Sequence, residues 1–277
     1  MEINLKQNTL EWLEFRKNHV GASDAPVIMK TSPWKTPFQL WKEKLSLAEP
    51  QTNYAMQQGH ENEPIAKAVL EEKLGMPLQS KIKLHNQRSW MMASMDAVSF
   101  DERTVAEIKC PGKNDHAIAL SGRVPEKYVA QLQHQIEVCN VEMVYYFSFY
   151  AGDGVLLKLY RDDKYIKTLL NEEEKFWECI NTFESPELTE RDFVYHGDAR
   201  WQHLADRLKE IKKLITEEDA IKKELIELAN GQNAMGAGIK VAKCMRKGAV
   251  DYNAIQELRD IDLNAYRKKP VEYWRIS

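Results

Sequence analysis

The chain has 277 residues, and its 43% of hydrophobic and 29% of charged residues are typical of a globular protein. Since no apolar stretch approaches the roughly 20 residues of a membrane-spanning helix, the sequence excludes that kind of segment. The N-terminal residues MEINLKQNTLEW lack the basic start and apolar core of a secretion signal, which predicts a cytoplasmic protein. The formal net charge of −3 means that any surface for binding a polyanion must be local.

The first 75 residues predict helices separated by short loops. Four helices are expected there, over residues 8–17, from 24, over 37–47 and over 54–74. Ser23 or Asp24 is expected to cap the second helix. Pro64 is expected to kink the fourth helix or to begin a new segment of it.

The hydrophobic period changes after Gly75, where β-branched and aromatic residues alternate with polar turns. Strands are expected at 81–86, 89–100 and 104–110, a helix at 125–139, a strand pair at 144–160 joined by residues 152–154, and a helix near 162–183. This order of elements predicts a mixed α/β (α+β) domain that covers residues 1–200.

Residues 201–277 predict a separate helical and small α+β appendage. A charged helix is expected over 201–229, a flexible break over 231–238, then a strand at 238–248, a helix near 252–260 and a strand at 271–277. Its basic residues are Lys240, Lys243, Arg246, Lys247 and the run 267–269. They suit contacts with phosphates, although a solvated surface is the default explanation and an oligomer or partner contact is also open.

Four cysteines are dispersed along the chain, at Cys110, Cys139, Cys179 and Cys244. No two of them have CxxC spacing, and no histidine cluster accompanies them. A disulfide framework, a zinc site or an iron–sulfur cluster is therefore not favoured. The pattern predicts four reduced thiols.

The main chemical signal lies in two of the expected strands, in Asp96 and in the run EIK at 107–109. Because side chains two apart on a strand share a face, Glu107 and Lys109 project together. If residues 101–102 form a two-residue turn, the register of the hairpin places Asp96 opposite Glu107. The sequence therefore predicts two carboxylates that meet beside an ammonium group.

This arrangement suits the metal-dependent hydrolysis of a phosphodiester. Mg²⁺, or Mn²⁺ in its place, prefers oxygen ligands, which Asp96, Glu107 and the backbone carbonyl of Ile108 could supply. The metal would polarise the phosphate and activate a water molecule, and Lys109 would stabilise the developing negative charge. Taken alone, the pattern is better explained by a surface hairpin with a cross-strand ion pair.

The motifs around this hairpin form an ordered set, namely WLEFR, VGASDA, SPWKTP, GHENEP, SMDAV, EIKCP and YVAQLQHQ. Over residues 10–180 this set resembles the YqaJ-type viral recombinase nucleases, relatives of phage lambda exonuclease in the PD-(D/E)xK superfamily. Met95 and Ala97 stand where that family has proline and glycine, which changes no chemical group. The resemblance implies a restriction-endonuclease-like core with a central mixed β-sheet flanked by helices.

The resemblance also implies further site residues around the hairpin. Glu63 matches a helix carboxylate of the family, which would complete the metal site or hold a second metal, and Glu61 is its competitor. Tyr128 and Gln131 match a Tyr-x-x-Gln pair that supports the site. For all of these residues, the alternative is a solvated helix surface.

A phosphate pocket near the N-terminus is implied as well. Arg16 and Ser23 match residues that hold the 5′-terminal phosphate in lambda-type enzymes, and a guanidinium beside a helix N-terminus suits that ligand. The alternative is that Ser23 only caps a helix and that Arg16 pairs with an acid. Trp34 could stack on a base at the DNA end, and a place in the core is the alternative for it.

The function implied is a magnesium-dependent 5′-to-3′ exonuclease that degrades one strand of linear double-stranded DNA and leaves 3′ single-stranded overhangs. Family membership also implies a homotrimeric ring and a phage single-strand annealing protein as partner, in the cytoplasm of a bacterial host. Two alternatives stay open. One is an endonuclease or single-strand nuclease on the same core, and the other is a non-catalytic DNA-binding subunit.

Overall fold

A computed structural model describes residues 9–49 and 54–246, with only the backbone at 54–58 and 60, together with residues 3, 5, 248, 249, 251, 254–256, 261, 266, 268 and 271. The chain divides into two compact units, Met1–Phe193 and Val194–Ser277. The predicted domain boundary after residue 200 stays a prediction. None of the helices in this described part is long and apolar enough to cross a membrane.

Seven α-helices lie in the described part of the first unit, and some of them begin at a side-chain cap. They are α1 (Leu10–Lys17), α2 (Ala25–Ile28), α3 (Pro37–Lys44), α4 (Tyr54–Leu74), α5 (Lys113–Leu120), α6 (Glu126–Cys139) and α7 (Asp163–Thr182). Thr9 caps α1 by accepting a hydrogen bond from the Trp12 N–H, and Thr36 caps α3 in the same way.

The predicted new start of α4 at Pro64 is wrong, because the helix runs through this residue. The proline is exposed, and the buried residues Ala66 and Leu70 hold the helix against the sheet. The expectation over 113–120 was incomplete, since α5 was not predicted. The apolar residues of this eight-residue helix are consecutive, at 117–120, so they do not show the spacing of an amphipathic helix.

A mixed sheet of six strands lies at the centre of the first unit. Its strands are β1 (Val20–Gly21), β2 (Gln79–Leu84), β3 (Met91–Val98), β4 (Val105–Lys109), β5 (Met143–Tyr150) and β6 (Asp153–Tyr160). The order is β1-β3-β4-β5-β6, with β2 paired to β3. The pairs β1–β3 and β4–β5 are parallel and the others antiparallel, so the predicted mixed sheet is confirmed.

Helices cover both faces of this sheet. Leu132 and Ile136 of α6 pack on one face with Met95 and Tyr146. On the other face, Leu70 of α4 packs against a second cluster of strand residues, which are Ala97, Ala106, Ile108, Phe147 and Phe149. The sheet is therefore buried between helical layers, as in other sheets that contain parallel strands.

Two turns differ from their predicted form without changing the register. Ser99 and Thr104 close the β3–β4 loop, because the Ser99 N–H donates to the Thr104 carbonyl at 2.9 Å; the predicted two-residue turn is thus too narrow. Ala151 and Gly152 connect β5 to β6, both with positive φ, of 50° and 87°. That pair of left-handed residues is typical of a tight hairpin turn.

The second unit contains the long helix α8 (Ala199–Leu228) and a hairpin of β7 (Ala234–Gly236) and β8 (Ile239–Val241). The predicted helix is confirmed. The predicted flexible break is wrong in part, since β7 lies within it, and β8 is shorter than the strand expected at 238–248. The helix expected near 252–260 and the strand expected at 271–277 lie largely outside the described residues.

Candidate active site

A β-bulge lies at Asp96. Lys81 of β2 pairs with Met95 and Gln79 pairs with Val98, so β3 has one residue more than its partner at this point. Met95 and Val98 both pack into the cluster under α6, which a strict alternation of faces would not permit. A bulge re-aims the side chains beside it, and it does so here at the first predicted carboxylate.

The hairpin of β3 and β4 brings the predicted residues together. Ala97 pairs with Ala106, and Asp96 and Glu107 are the next residues along the two strands. The Asp96 Oδ2 accepts a hydrogen bond from the Ile108 N–H at 2.9 Å, so this carboxylate is fixed to the neighbouring strand.

Glu107 is held on both of its carboxylate oxygens and is only 2% exposed. Its Oε1 accepts hydrogen bonds from the Lys109 ammonium and, at 2.5 Å, from Gln131 Nε2. Its Oε2 accepts one from Gln135 Nε2, also at 2.5 Å. Gln131 and Gln135 are one helical turn apart on α6 and reach the same side.

The contact of Gln135 with Glu107 was not predicted from the sequence. The sequence places Gln135 on one polar stripe of α6 with Tyr128 and Gln131, a stripe that suits the wall of a site, but only the other two were named as site residues. Its spacing of four residues from Gln131 was the available signal. By contrast, His134 points away from the site, to the Met92 carbonyl and the Glu173 carboxylate.

The electrostatics of the cluster follow from its enclosure. Burial and the neighbouring carboxylate of Glu107 raise the pKa of Asp96 well above its usual range. Burial alone would lower the pKa of Lys109, but the carboxylates of Glu107 and Asp96 raise it instead. Lys109 is therefore a firmly protonated ammonium group, suited to donate hydrogen bonds and not to accept a proton.

Glu63 lies on α4 and is partly buried, whereas its competitor Glu61 is exposed. The charge of Glu63 also contributes to the raised pKa of Asp96, after burial and Glu107. The structure thus brings Glu63 into the electrostatic neighbourhood of the hairpin. It makes Glu63 the better placed of the two helix carboxylates.

The donor set of the hairpin fits a hard divalent cation. Asp96 and Glu107 are oxygen donors, and the pKa of Asp96 is raised by burial first and by the Glu107 carboxylate second, with Lys109 opposing the shift. Among the described residues, no three His, Cys, Asp or Glu side chains form a metal cluster by themselves. A cation here would therefore depend on the close pair, with the Ile108 carbonyl and Glu63 as the further predicted ligands.

Tyr128 and Trp34 form an aromatic wall next to the hairpin, with ring centroids 6.5 Å apart. The Lys109 Nζ lies 5.7 Å from the centre of the Tyr128 ring. Trp34 is 59% exposed, so the alternative of a core position is wrong. Lys127, which sequence reasoning missed, places its ammonium 4.6 Å from the Trp34 ring centre and 5.4 Å from that of Tyr128.

The predicted pair of Arg16 and Ser23 meets in the loop between α1 and α2. The Arg16 Nη2 donates to Ser23 Oγ at 2.7 Å and lies 3.6 Å from the Asp24 Oδ1. Of the two predicted caps, Asp24 occupies the N-cap position of α2, although its side chain makes no capping bond to that helix, and Ser23 lies inside a short 3₁₀ turn. Asp24 accepts from the Gly21 N–H at 2.9 Å instead.

Trp12 connects this loop to the strand that carries Asp96. The Arg16 guanidinium lies 5.3 Å from the Trp12 ring centre, as in a cation–π contact. The Trp12 Nε1 donates to Ser94 Oγ at 3.1 Å, and Ser94 is two residues before Asp96 on β3. The loop and the hairpin therefore share one packed scaffold.

Comparison with known proteins finds similarity over much of this region. Residues 11–142 match the model of the YqaJ-like viral recombinase domain. The uncharacterized protein YqaJ of Bacillus subtilis (strain 168) is 29% identical over 182 residues, which cover 63% of this chain. The match spans 57% of that relative, less than two thirds of its length.

A solved structure with a similar fold is an alkaline exonuclease (LHK-Exo) from Laribacter hongkongensis. Its TM-score is 0.56 at 23% sequence identity, over 64% of this chain and 94% of that one. The same protein in complex with dAMP gives the same values. At this identity the likeness shows the fold, which confirms the predicted restriction-endonuclease-like core.

The region that matches the family model contains the ordered set of sequence motifs described above. Residues 11–142 are therefore similar to the YqaJ-like viral recombinase domain, which is the family that the ordered motifs resemble.

Proposed function

We propose that this chain is a magnesium-dependent exonuclease that degrades one strand of linear double-stranded DNA from its 5′ end and leaves 3′ overhangs for phage recombination. One observation carries the proposal. The Glu107 carboxylate is enclosed and held on both oxygens by Lys109, Gln131 and Gln135, with Asp96 on the neighbouring strand. Such a fixed, cation-poor pair of acids suits phosphodiester hydrolysis.

Asp96, Glu107, the Ile108 carbonyl and Glu63 would hold the metal. When bound, Mg²⁺ would supply a Lewis acid that polarises the phosphate and makes a water molecule more acidic. Glu107 cannot turn away, because the two α6 amides hold both of its oxygens. The donors are therefore pre-organised, which limits the reorganisation needed during the reaction.

Lys109 acts on the charge that develops on the phosphate. Its ammonium donates to Glu107 and lies beside the Tyr128 ring, which restricts its position. Because the surrounding carboxylates keep it protonated, it can donate a hydrogen bond to an attacking water or to a phosphate oxygen. The role of Tyr128 in this proposal is to wall the ammonium in.

Arg16 and Ser23 would bind the terminal 5′ phosphate, and Trp34 would stack on a base next to it. A guanidinium that already donates to a hydroxyl, with its side chain 35% exposed, can add bonds to a phosphate. An exposed indole beside the hairpin offers a surface for a base. Both features favour cutting from an end over cutting at random internal positions.

We also propose an assembly for this protein, and the family resemblance is what supports it. It consists of a homotrimeric ring that encloses DNA and cooperates with a phage single-strand annealing protein in the host cytoplasm. Mn²⁺ is proposed as an alternative metal, since it takes similar oxygen ligands. Light scattering of the purified protein, with and without DNA, would measure the number of subunits.

The deciding experiment is a digestion assay on matched DNA substrates. Linear duplex with 5′ phosphates, linear duplex with 5′ hydroxyls and closed circular duplex are each incubated with Mg²⁺, and in parallel with EDTA. We expect fast digestion of phosphorylated linear DNA, slower digestion of hydroxyl ends, and none of the circle or with EDTA. Circular duplex cut as fast as linear duplex would establish an endonuclease instead.

A further inference from the structure

Lys44 is a buried cation that the site described above does not use. Its side chain on α3 is only 5% exposed. The ammonium donates to the Arg16 carbonyl at 2.8 Å and to the His19 carbonyl at 2.6 Å, and it contacts Asp24 Oδ2 at 2.6 Å. All three N–H groups thus have an oxygen partner. Burial lowers the pKa of Lys44, and the Asp24 carboxylate opposes that shift by favouring the charged ammonium.

Asp24 is the acid between two cations. Its Oδ2 faces Lys44, and its Oδ1 faces Arg16 at 3.6 Å. Asp24 is 3% exposed. Burial alone would raise its pKa, but Lys44 and Arg16 bring it down to about 2, so Asp24 is ionised at neutral pH.

The balance of charge in this cluster is therefore positive. Two cations share a single carboxylate, and the cation nearer to solvent is Arg16, whose side chain is 35% exposed against 5% for Lys44. Lys44 is much closer to the carboxylate than Arg16 is, so it satisfies most of the charge of Asp24. The guanidinium is left with charge to offer to an anion.

We propose that Asp24 and Lys44 are positioning residues for the end-binding pocket: Asp24 orients Arg16, and Lys44 neutralises Asp24 so that Arg16 keeps its positive charge for the terminal phosphate. This inference rests on the proposed function of Arg16 and Ser23. Neither Asp24 nor Lys44 touches the phosphate, because both are buried behind the guanidinium.

The charge balance makes an unusual prediction for a pair of variants. In Lys44→Met, Asp24 has only Arg16 as its counter-charge, so the guanidinium pairs with Asp24 and the pocket becomes neutral. In the double variant Asp24→Asn with Lys44→Met, both buried charges are gone, the asparagine side chain still offers an oxygen that can orient Arg16, and Arg16 is again an uncompensated cation. The second substitution should therefore restore what the first removes.

The experiment measures the preference for a 5′ phosphate over a 5′ hydroxyl on linear duplex DNA, as a ratio of kcat/KM values with Mg²⁺. We expect Lys44→Met to reduce this ratio roughly tenfold or more, because Arg16 then pairs with Asp24 and its charged hydrogen bond to the terminal phosphate is lost. The loss should lie in KM and not in kcat at saturating DNA. The double variant should recover most of the ratio.

Lys42→Met is the matched control, since Lys42 lies on the same helix but contacts the Phe38 ring instead of Asp24. Thermal unfolding of each variant verifies that it is folded. Should Lys44→Met be unfolded, Lys44→Gln serves in its place, because it is neutral and keeps a hydrogen-bond donor. A merely structural role for Lys44 would lower the unfolding temperature and leave the phosphate ratio unchanged.

The outcomes separate this inference from the function on which it rests. If the unmodified protein has no preference for a 5′ phosphate, or if Arg16→Ala keeps that preference, the end-binding pocket itself is wrong. If Arg16→Ala loses the preference and folded Lys44→Met or Lys44→Gln keeps it, only the positioning role is overturned. Failure of the double variant to recover the ratio would also overturn it.

Discussion

Two enclosed aspartates of the same unit have opposite electrostatic environments. Asp96 lies on β3 beside a second carboxylate, and burial together with Glu107 raises its pKa. Asp24 lies between two cations, and although burial opposes its charge, Lys44 and Arg16 lower its pKa to about 2. The cluster around Asp96 has more carboxylates than cations, and the cluster around Asp24 has more cations than carboxylates.

The difference indicates what each cluster can bind. A pair of acids with one ammonium gains stability from an added cation, whereas two cations with one acid gain it from an added anion. A nuclease that begins at a DNA end needs both kinds of site, one for a metal and one for a phosphate. Isosteric changes at the two aspartates should therefore have different consequences.

The largest expected effect is on activity. Asp96→Asn keeps the acceptor for the Ile108 N–H but removes the charge that would bind the metal, so we expect the rate with Mg²⁺ to fall about a thousandfold or more. Asp101→Asn, in the loop of the same hairpin, is the control and should act like the unmodified protein. Full magnesium-dependent activity of Asp96→Asn would remove the hairpin from the mechanism.

The next effect is on stability without metal, where the two aspartates should respond with opposite sign. Asp24→Asn leaves Lys44 buried without its counter-charge and should lower the free energy of unfolding by roughly 3 kcal/mol. Asp96→Asn removes repulsion from Glu107 and should raise it by about 1 kcal/mol. Urea unfolding in EDTA measures both, and a loss of similar size in each would contradict the comparison.

A smaller effect is expected from the amides that hold Glu107. Gln135→Ala frees the Glu107 Oε2, so we expect activity or metal affinity to fall roughly ten- to hundredfold. Gln133→Ala is matched in residue type, helix and burial, but Gln133 bonds the Tyr160 carbonyl and the Asp162 N–H instead. Equal loss of activity in both variants would show that only the packing of α6 matters.

The smallest effect concerns a compensated pair away from both clusters. Burial alone would lower the pKa of His134, but Glu173 raises it. Since the folded-state pKa is raised, the pair stabilises the fold at low pH, and this stabilisation is lost as pH rises through the raised value.

The free-energy difference between the unmodified protein and His134→Gln should therefore shrink as the pH rises from the ordinary histidine pKa of about 6.5 through the raised value. Urea midpoints measure it, with His203→Gln on the exposed face of α8 as control. A difference that grows with pH would contradict the assignment of a charged histidine.

Contacts between site residues that are close in sequence could be predicted. The register of the β3–β4 hairpin follows from a short loop, and it brings Asp96 to Glu107 without any knowledge of the rest. The bulge at Asp96 could not be predicted, because it depends on β2, whose Gln79 and Lys81 are distant in sequence. Gln135 was missed for the same reason, since only the docking of α6 on the sheet aims its amide at Glu107.

The contacts made by Lys44 lie further beyond sequence reasoning. The residue is 20 positions after Asp24 in the chain, in an ordinary amphipathic helix where lysine is usually solvated. Only the packing of α3 against the loop after α1 buries it. The contact of Lys127 with the exposed Trp34 ring likewise depends on the packing of distant segments of the chain.

The hydrogen bond from Trp12 to Ser94 has a consequence for the products of the reaction. This bond connects the Arg16 loop to β3. In the proposed function, it would therefore fix the distance between the pocket that binds the 5′ end and the hairpin that cuts the phosphodiester. We expect each cycle to release a fragment of one constant length, whatever the base sequence. Trp12→Phe, which removes the bond but keeps a ring under Arg16, should broaden that length distribution.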